Sequence, residues 1–82
     1  MILERPARAE DLDQAIRDHG FSPVRYSDPV RGRREARETG IGVHNARGRC
    51  LTVFKPGAGG YDLADATRRL AEFRAFEDAH PR

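Results

Sequence analysis

Two stretches of the chain, one near each end, carry apolar side chains at intervals of three and four residues. In the first stretch these positions are Ala9, Leu12, Ala15, Ile16 and His19, and in the second they are Leu63, Ala66, Leu70, Phe73 and Phe76. This spacing places each set on one face of a helix. Gly20 is a helix stop signal, and Asp62 is a suitable N-cap. The pattern therefore predicts one helix over residues 9–19 and another from Asp62 to His80.

Between the two helices, apolar residues alternate with polar or small ones, as they do in strands. The alternation predicts three strands, at residues 21–27, 40–44 and 49–55. The last two are joined by a four-residue hairpin loop, Asn45 to Gly48. Because Pro23 cannot donate a hydrogen bond to a ladder, we expect the first strand to lie at an edge of the sheet. Residues 28–32, Asp-Pro-Val-Arg-Gly, have the composition of a turn.

Residues 33–39 allow more than one interpretation. Their composition favours a helix, but such a helix would have only Val30 and Ala36 as apolar residues, on different faces. We therefore interpret this segment as the solvated first half of a long strand, or as a mobile arm.

The order helix, strand, strand, strand, helix predicts a single small α+β domain over residues 1–82. Its simplest closure is a three-stranded antiparallel sheet with both helices packed on one face. The expected core consists of Leu12, Ile16, Val24, Ile41, Val43, Leu51, Val53, Leu63, Leu70 and Phe73. The other sheet face is expected to carry Arg, Thr and Cys side chains. A chain of this size has a modest core, so a homodimer is an alternative to a monomer. Ile2, Leu3 and Phe76 are the candidate residues of the dimer surface.

The charge is unevenly distributed although its total is small. The chain has 15 basic and 13 acidic residues, for a formal net charge of +2. The segment between the helices is basic because it carries Arg25, Arg31, Arg33, Arg34, Arg37, Arg47 and Arg49. Arginine forks bind phosphate and carboxylate groups well. We therefore predict these seven arginines as the site for a protein partner or for nucleic acid, although Glu35 and Glu38 partly neutralise them.

No candidate catalytic or metal-binding residue in the sequence is accompanied by the partner residue that such a site requires. Cys50 is the only cysteine, which excludes an internal disulfide and a cysteine-rich zinc site. His44 is a candidate general base, but no partner for it is evident, and the three histidines lack metal-ligand spacing. We therefore expect neither an enzyme nor a metal or cofactor. No apolar run approaches the roughly 20 residues of a membrane span, and we expect a cytoplasmic protein without membrane contact.

Two resemblances bear on function. The segment from Asp11 to Arg25, with His19-Gly20-Phe21 and Pro23-Val24-Arg25, resembles the opening of HicA-type toxins, which are small ribonucleases of double-stranded-RNA-binding-like topology. That family implies a histidine after the first strand, where this chain has Ser27-Asp28-Pro29, so the resemblance extends to the topology only. The whole chain resembles small phage anti-CRISPR inhibitors in its size, mixed charge, single cysteine and lack of motifs.

The second resemblance implies an inhibitor that occupies a site on a larger complex. We therefore expect a small non-enzymatic inhibitor or adaptor that docks its arginine-rich hairpin surface on a nucleic-acid-processing protein complex. The alternatives are a module that binds an RNA or DNA backbone directly and, ranked below it, a small ribonuclease that uses His44.

Overall fold

The structure is a computed structural model that describes residues 7–29 and 36–80. The chain has an α+β fold, with the elements α1 (Ala9–Asp18), β1 (Ser22–Pro29), β2 (Ala36–His44), β3 (Cys50–Phe54) and α2 (Leu63–Ala79). The three strands form one antiparallel sheet in the order β1-β2-β3. The predicted element order, the hairpin and the edge position of the first strand are confirmed.

The helix ends form as the sequence signals predict. Gly20 adopts a φ of 83°, and its N–H bonds to the Arg17 carbonyl at 2.9 Å while Phe21 N–H bonds to Ile16 at 3.1 Å. The chain can therefore reverse into β1 without leaving the last carbonyls of α1 unpaired. At the start of α2, the Asp62 carboxylate accepts a hydrogen bond from the Asp65 N–H at 3.0 Å, as expected of an N-cap.

The first strand is longer than its alternation predicts. Asp28 pairs with Arg37 and Pro29 pairs with Ala36, so the turn predicted to begin at Asp28 is wrong at these two positions. A strand at the sheet edge tolerates a proline because the N–H that proline lacks can be one that faces away from the ladder. The interpretation of residues 33–39 as the first half of a long strand is confirmed for residues 36–39. Residues 30–35 lie outside the described residues.

The core lies between the helices and one face of the sheet. Its buried members are Ala7, Leu12, Ile16, Phe21, Ile41, Val43, Phe54, Tyr61, Ala66 and Leu70, with Leu51, Leu63 and Phe73 partly buried against them. The prediction of Val24 and Val53 as core residues is wrong, because each is 38% exposed. Both are paired with Gly42, which lies on the sheet face opposite to that of Ile41 and Val43.

A short backbone bridge closes the helical layer. The N–H of Ala7 bonds to the Tyr61 carbonyl and the N–H of Tyr61 bonds to the Ala7 carbonyl, both at 2.9 Å. The bridge brings the residues before α1 and before α2 side by side, and it places the Tyr61 ring in the core.

A pair of truncations tests which sheet face is covered. Leu12→Ala is expected to lower the free energy of unfolding by about 2–5 kcal/mol, because it leaves a cavity in a fully buried site. Val24→Ala is expected to cost less than about 1 kcal/mol, since its side chain is already partly in water. Chemical denaturation of the two variants measures the difference. Equal losses would contradict the assignment of Val24 to the uncovered face.

Candidate interaction surface

The sheet face opposite the helices carries large apolar side chains. We call it the open face and define it by Val24, Tyr26, Gly40, Gly42, His44 and Val53. Val24 and Val53 flank Gly42 in the register, and Tyr26 is paired with Gly40. Val24, Tyr26 and Val53 are 38%, 39% and 38% exposed. The open face is therefore an apolar patch. The sequence predicts Arg, Thr and Cys side chains there, but Arg25 and Thr52 are paired with Ile41 and Val43 of the helix side. Cys50, which is paired with His44, lies on the open face as predicted.

The two glycines of β2 let neighbouring side chains lie flat on the sheet. A Cβ atom on Gly42 would lie 2.7 Å from Tyr26 Cε2, and one on Gly40 would lie 2.9 Å from Val53 Cγ1. Both distances are shorter than ordinary carbon contacts, so a Cβ atom at either position would force the neighbouring atoms to move. Tyr26 reaches inward from β1 and Val53 from β3, and together they cover the bare centre of the sheet.

A hydrogen-bond chain holds the Tyr26 ring in place. Its hydroxyl lies 3.3 Å from His44 Nε2, and His44 Nδ1 lies 3.2 Å from the Gly48 carbonyl oxygen. Because a carbonyl oxygen only accepts hydrogen bonds, the Nδ1–H group of His44 is the donor to the Gly48 carbonyl oxygen. In the neutral imidazole, Nε2 then accepts the hydroxyl proton of Tyr26. The chain connects β1, through β2, to the hairpin loop.

The hairpin loop beside the open face is organised by one asparagine. Asn45 Oδ1 accepts the backbone N–H groups of Arg47 and Arg49, both at 3.0 Å. Asn45 Nδ2 donates to Glu77 Oε1 of α2 at 2.8 Å. The loop therefore has a defined shape and a fixed position relative to α2, and both arginine side chains are exposed.

The predicted arginine site is only partly brought together. Arg25 is paired with Ile41, which places it on the helix side of the sheet, and its Nη2 lies 2.6 Å from Asp13 Oδ2. Its expected place on the uncovered face is therefore wrong, because acidic residues of α1 draw it to the other side. Arg47 and Arg49 lie in the hairpin loop, which in the structure consists of residues 45–49, and Arg37 lies in β2. Arg31, Arg33 and Arg34 lie outside the described residues.

Glu38 also lies on the helix side. The register shifts between Tyr26 and Ser27, so that Ser27 faces Glu38 and one residue of β2 is passed over. The shift reverses the alternation and turns Glu38 towards Tyr61. Burial, and then the nearby Glu38 carboxylate, raise the pKa of Tyr61. Neither residue is available to the open face.

The histidines and the cysteine form no metal site. Within residues 7–29 and 36–80, no group of three His, Cys, Asp or Glu side chains could hold a metal ion. Cys50 is exposed and is paired with His44 in the sheet register. Its thiol lies 3.6 Å from the Thr52 carbonyl, and no hydrogen bond joins it to His44 in the described structure.

Comparisons with protein-family models, with curated proteins and with solved structures find no match to this chain. The resemblances to HicA-type toxins and to anti-CRISPR inhibitors therefore stay predictions. In the described part of the chain, no helix is both long and apolar enough to cross a lipid bilayer.

Two glycine substitutions test the geometry of the open face. Gly40→Ala is expected to destabilise the fold by about 1–3 kcal/mol, because its Cβ would lie 2.8 Å from the backbone carbonyl oxygen of Phe54. Gly42→Ala meets only the far ends of the Tyr26 and His44 side chains. It should cost less and should displace the Tyr26 ring, which NMR chemical shifts would detect. A larger loss of stability for Gly42→Ala would contradict this geometry.

The pKa of Tyr61 predicts a dependence of stability on alkaline pH. The chain has two tyrosines, so Tyr26→Phe leaves Tyr61 as the only one. Its tyrosinate absorbance is expected to appear at a pH above the ordinary tyrosine value of about 10. Because the raised pKa favours the neutral form of Tyr61 in the folded state, Tyr61 makes its full contribution to stability below the ordinary tyrosine pKa of about 10. This contribution is lost as the pH rises through the folded pKa.

The matched control is Tyr61→Phe, whose unfolding free energy should lack this alkaline step. A tyrosinate midpoint at or below about 10 in Tyr26→Phe would contradict the burial of the Tyr61 hydroxyl.

Proposed function

We propose that this protein is a small non-enzymatic interaction protein, an inhibitor or adaptor, that binds a protein of a nucleic-acid-processing complex. The binding surface is the open face together with the hairpin loop. The observation that carries the proposal is the joint exposure of Val24, Tyr26 and Val53 on the sheet face without helices. Isolated apolar residues are common on protein surfaces, whereas contiguous patches mark interaction sites.

The geometry of Tyr26 suits a protein interface. Tyrosine and arginine are the residue types enriched among those that dominate binding energy. The ring is held between Gly42 beneath it and His44 at its hydroxyl. Because this orientation exists before binding, Tyr26 loses little side-chain entropy when a partner contacts it. The adjacent valines supply apolar area around the ring.

The distribution of charge indicates which partner surface fits. On the helix side of the sheet, Arg25 lies among the carboxylates of Glu10, Asp13 and Glu38. Arg47 and Arg49 lie in the hairpin loop, where Arg47 lines a cleft against α2 together with Glu77 and Asp78, and Arg49 is exposed. Arginines of this kind pair with carboxylates of a partner protein and fix its orientation.

The environment of His44 supports a non-enzymatic role. Both ring nitrogens are engaged within the fold, one with the Gly48 carbonyl and one with the Tyr26 hydroxyl. A general base needs a nitrogen within reach of a substrate proton. Here each nitrogen already serves to position the ring and the loop.

Direct binding of nucleic acid is the second candidate, and Tyr26 favours it. One side of the ring lies against Gly42, and the residue is 39% exposed. An exposed ring can stack on an unpaired base while arginines elsewhere on the surface contact phosphates. The aliphatic residues on both sides of the ring favour the protein partner, since valines gain little from a polar nucleic-acid backbone.

Affinity capture with two aromatic variants tests the proposal. Tyr26→Ala is expected to lose the bound protein, with a loss of about 2 kcal/mol or about thirtyfold in Kd. Phe76→Ala is the matched control, because Phe76 is a 61% exposed aromatic on α2, and it should retain the partner. Capture is done after nuclease treatment, and thermal melting verifies that both variants fold.

The second candidate predicts a different outcome. Fluorescence anisotropy with single-stranded RNA and DNA should then show direct binding that weakens steeply as salt is raised. Retention of the protein partner by Tyr26→Ala, or its equal loss from Phe76→Ala, would refute the open face as the binding site.

A further inference from the structure

β3 forms one edge of the sheet, and no other described strand pairs with its outer side. We propose that this edge binds an extended segment of the partner protein as a fourth strand, and that this segment carries acidic residues at both ends. The identity of the segment as part of a partner rests on the proposed function. The pairing itself rests on the geometry and charge of β3.

The edge has backbone groups available for pairing. β3 pairs with β2 alone, since the sheet order is β1-β2-β3. In the described structure, no N–H or C=O of residues 50–54 bonds to backbone outside the sheet. In an antiparallel edge strand, alternate residues turn both of these groups away from their neighbour. A further strand can therefore add to β3 by main-chain hydrogen bonds.

The opposite edge of the sheet is less suited to pairing. β1 contains Pro23 and Pro29, which lack an N–H. Prolines at such positions are a usual means by which edge strands avoid further partners. β3 consists of Cys-Leu-Thr-Val-Phe, without proline or glycine. Its register with β2 shifts between Val43 and His44, which passes over Leu51, and residues 52–54 pair regularly with residues 41–43. Of the two edges, β3 is therefore the one open to a new strand.

The charges at the ends of β3 favour a different protein over a second copy of this chain paired in full register. Arg49 precedes the strand and Lys55 follows it, and both are exposed. In an antiparallel pair of two copies that matches all five residues, Thr52 lies opposite itself and Arg49 lies opposite Lys55 at each end. Like charges directly opposite each other are destabilising. A segment with an acidic residue at each end instead forms an ion pair at both positions, in either strand direction.

An added strand would also enlarge the open face. Val53 points to that face, whereas Phe54 is buried on the other. A side chain of the added strand beside Val53 would therefore extend the patch of Val24, Tyr26 and Val53 by one strand. An apolar residue at that position lets one partner segment contact both the edge and the open face.

Two synthetic peptides test the proposal on the full chain. Both have the same alternating Val-Thr core, and one has Asp at each end while the other has Lys. In NMR titrations, the Asp-ended peptide should shift β3 amides and slow their hydrogen exchange, with an affinity about fivefold or more above that of the Lys-ended peptide. Arg49→Glu combined with Lys55→Glu should reverse this preference. These exposed substitutions leave the core intact.

A third peptide separates strand pairing from simple charge attraction. It has the Asp-ended sequence with N-methyl groups at alternate positions, on the edge that would face β3, and it should not bind. Equal binding of the methylated peptide, no binding of any peptide, or unchanged preference in the double variant would each overturn the proposal. A dimer in light scattering whose formation protects the β3 amides from hydrogen exchange would assign the edge to a second copy instead.

The outcomes are independent of the test of the open face. If peptides do not add to β3 while Tyr26→Ala still loses the captured protein, the edge is refuted and the proposed function stands. If the charge reversal occurs while Tyr26→Ala retains the captured protein, the open face is refuted and the edge stands.

Discussion

The arrangement of the molecule depends on the division of β2 into a bulky face and a bare face. Ile41 and Val43 project to one side and are fully buried against the helices. Gly40 and Gly42 alternate with them and leave the other side without side chains of its own. Because successive residues of a strand point to opposite faces, this alternation commits the helices to one side of the sheet. It also requires the neighbouring strands to cover the other side.

The covering of the bare face explains why the exposed residues are partly buried. Tyr26 and Val53 lie across the glycines from opposite strands. About three-fifths of the accessible surface of each residue is therefore buried, although no second layer of helices covers this face in the described structure. A chain of 82 residues has little material for such a layer. The remaining exposure is apolar and is held in a fixed geometry. The packing of Tyr26 and Val53 over the glycines of β2 therefore also leaves a surface suited to a partner.

The helices, the hairpin and the edge position of β1 could be predicted because each depends on local signals. Gly20, Asp62 and the loop after His44 act within a few residues of themselves. The face of β1 could not be assigned in this way. Val24 and Arg25 are adjacent in β1 and therefore point to opposite faces of the sheet. Hydrophobicity alone predicts that Val24 is the residue that faces the helices. The acidic residues of α1, which pair with Arg25 at Asp13, reverse that choice. This contact links residues distant in the sequence, and strand periodicity carries no information about it.

One signal in the sequence does indicate the open face. In Gly40-Ile41-Gly42-Val43, one set of alternate positions is all glycine, and glycine in a strand interior marks close approach by another group. The nearest large residues with matching alternation are Val24 and Tyr26, which the register places beside these glycines. The placement of Glu38 on the helix side has no comparable signal in the sequence. It follows from a register shift that only the pairing of β1 with β2 reveals.

The hydrogen-bond chain from Tyr26 through His44 to Gly48 joins the open face to the hairpin loop. Asn45 then joins that loop to α2 through Glu77. A displacement of the Tyr26 ring therefore acts on the group that holds the loop, and the loop carries Arg47 and Arg49. For a partner that contacts both places, the apolar patch and the backbone of the hairpin loop are held in one fixed relation. Pre-organisation of this kind reduces the entropy lost on binding, and a small sheet with one bare face can achieve it without additional structure.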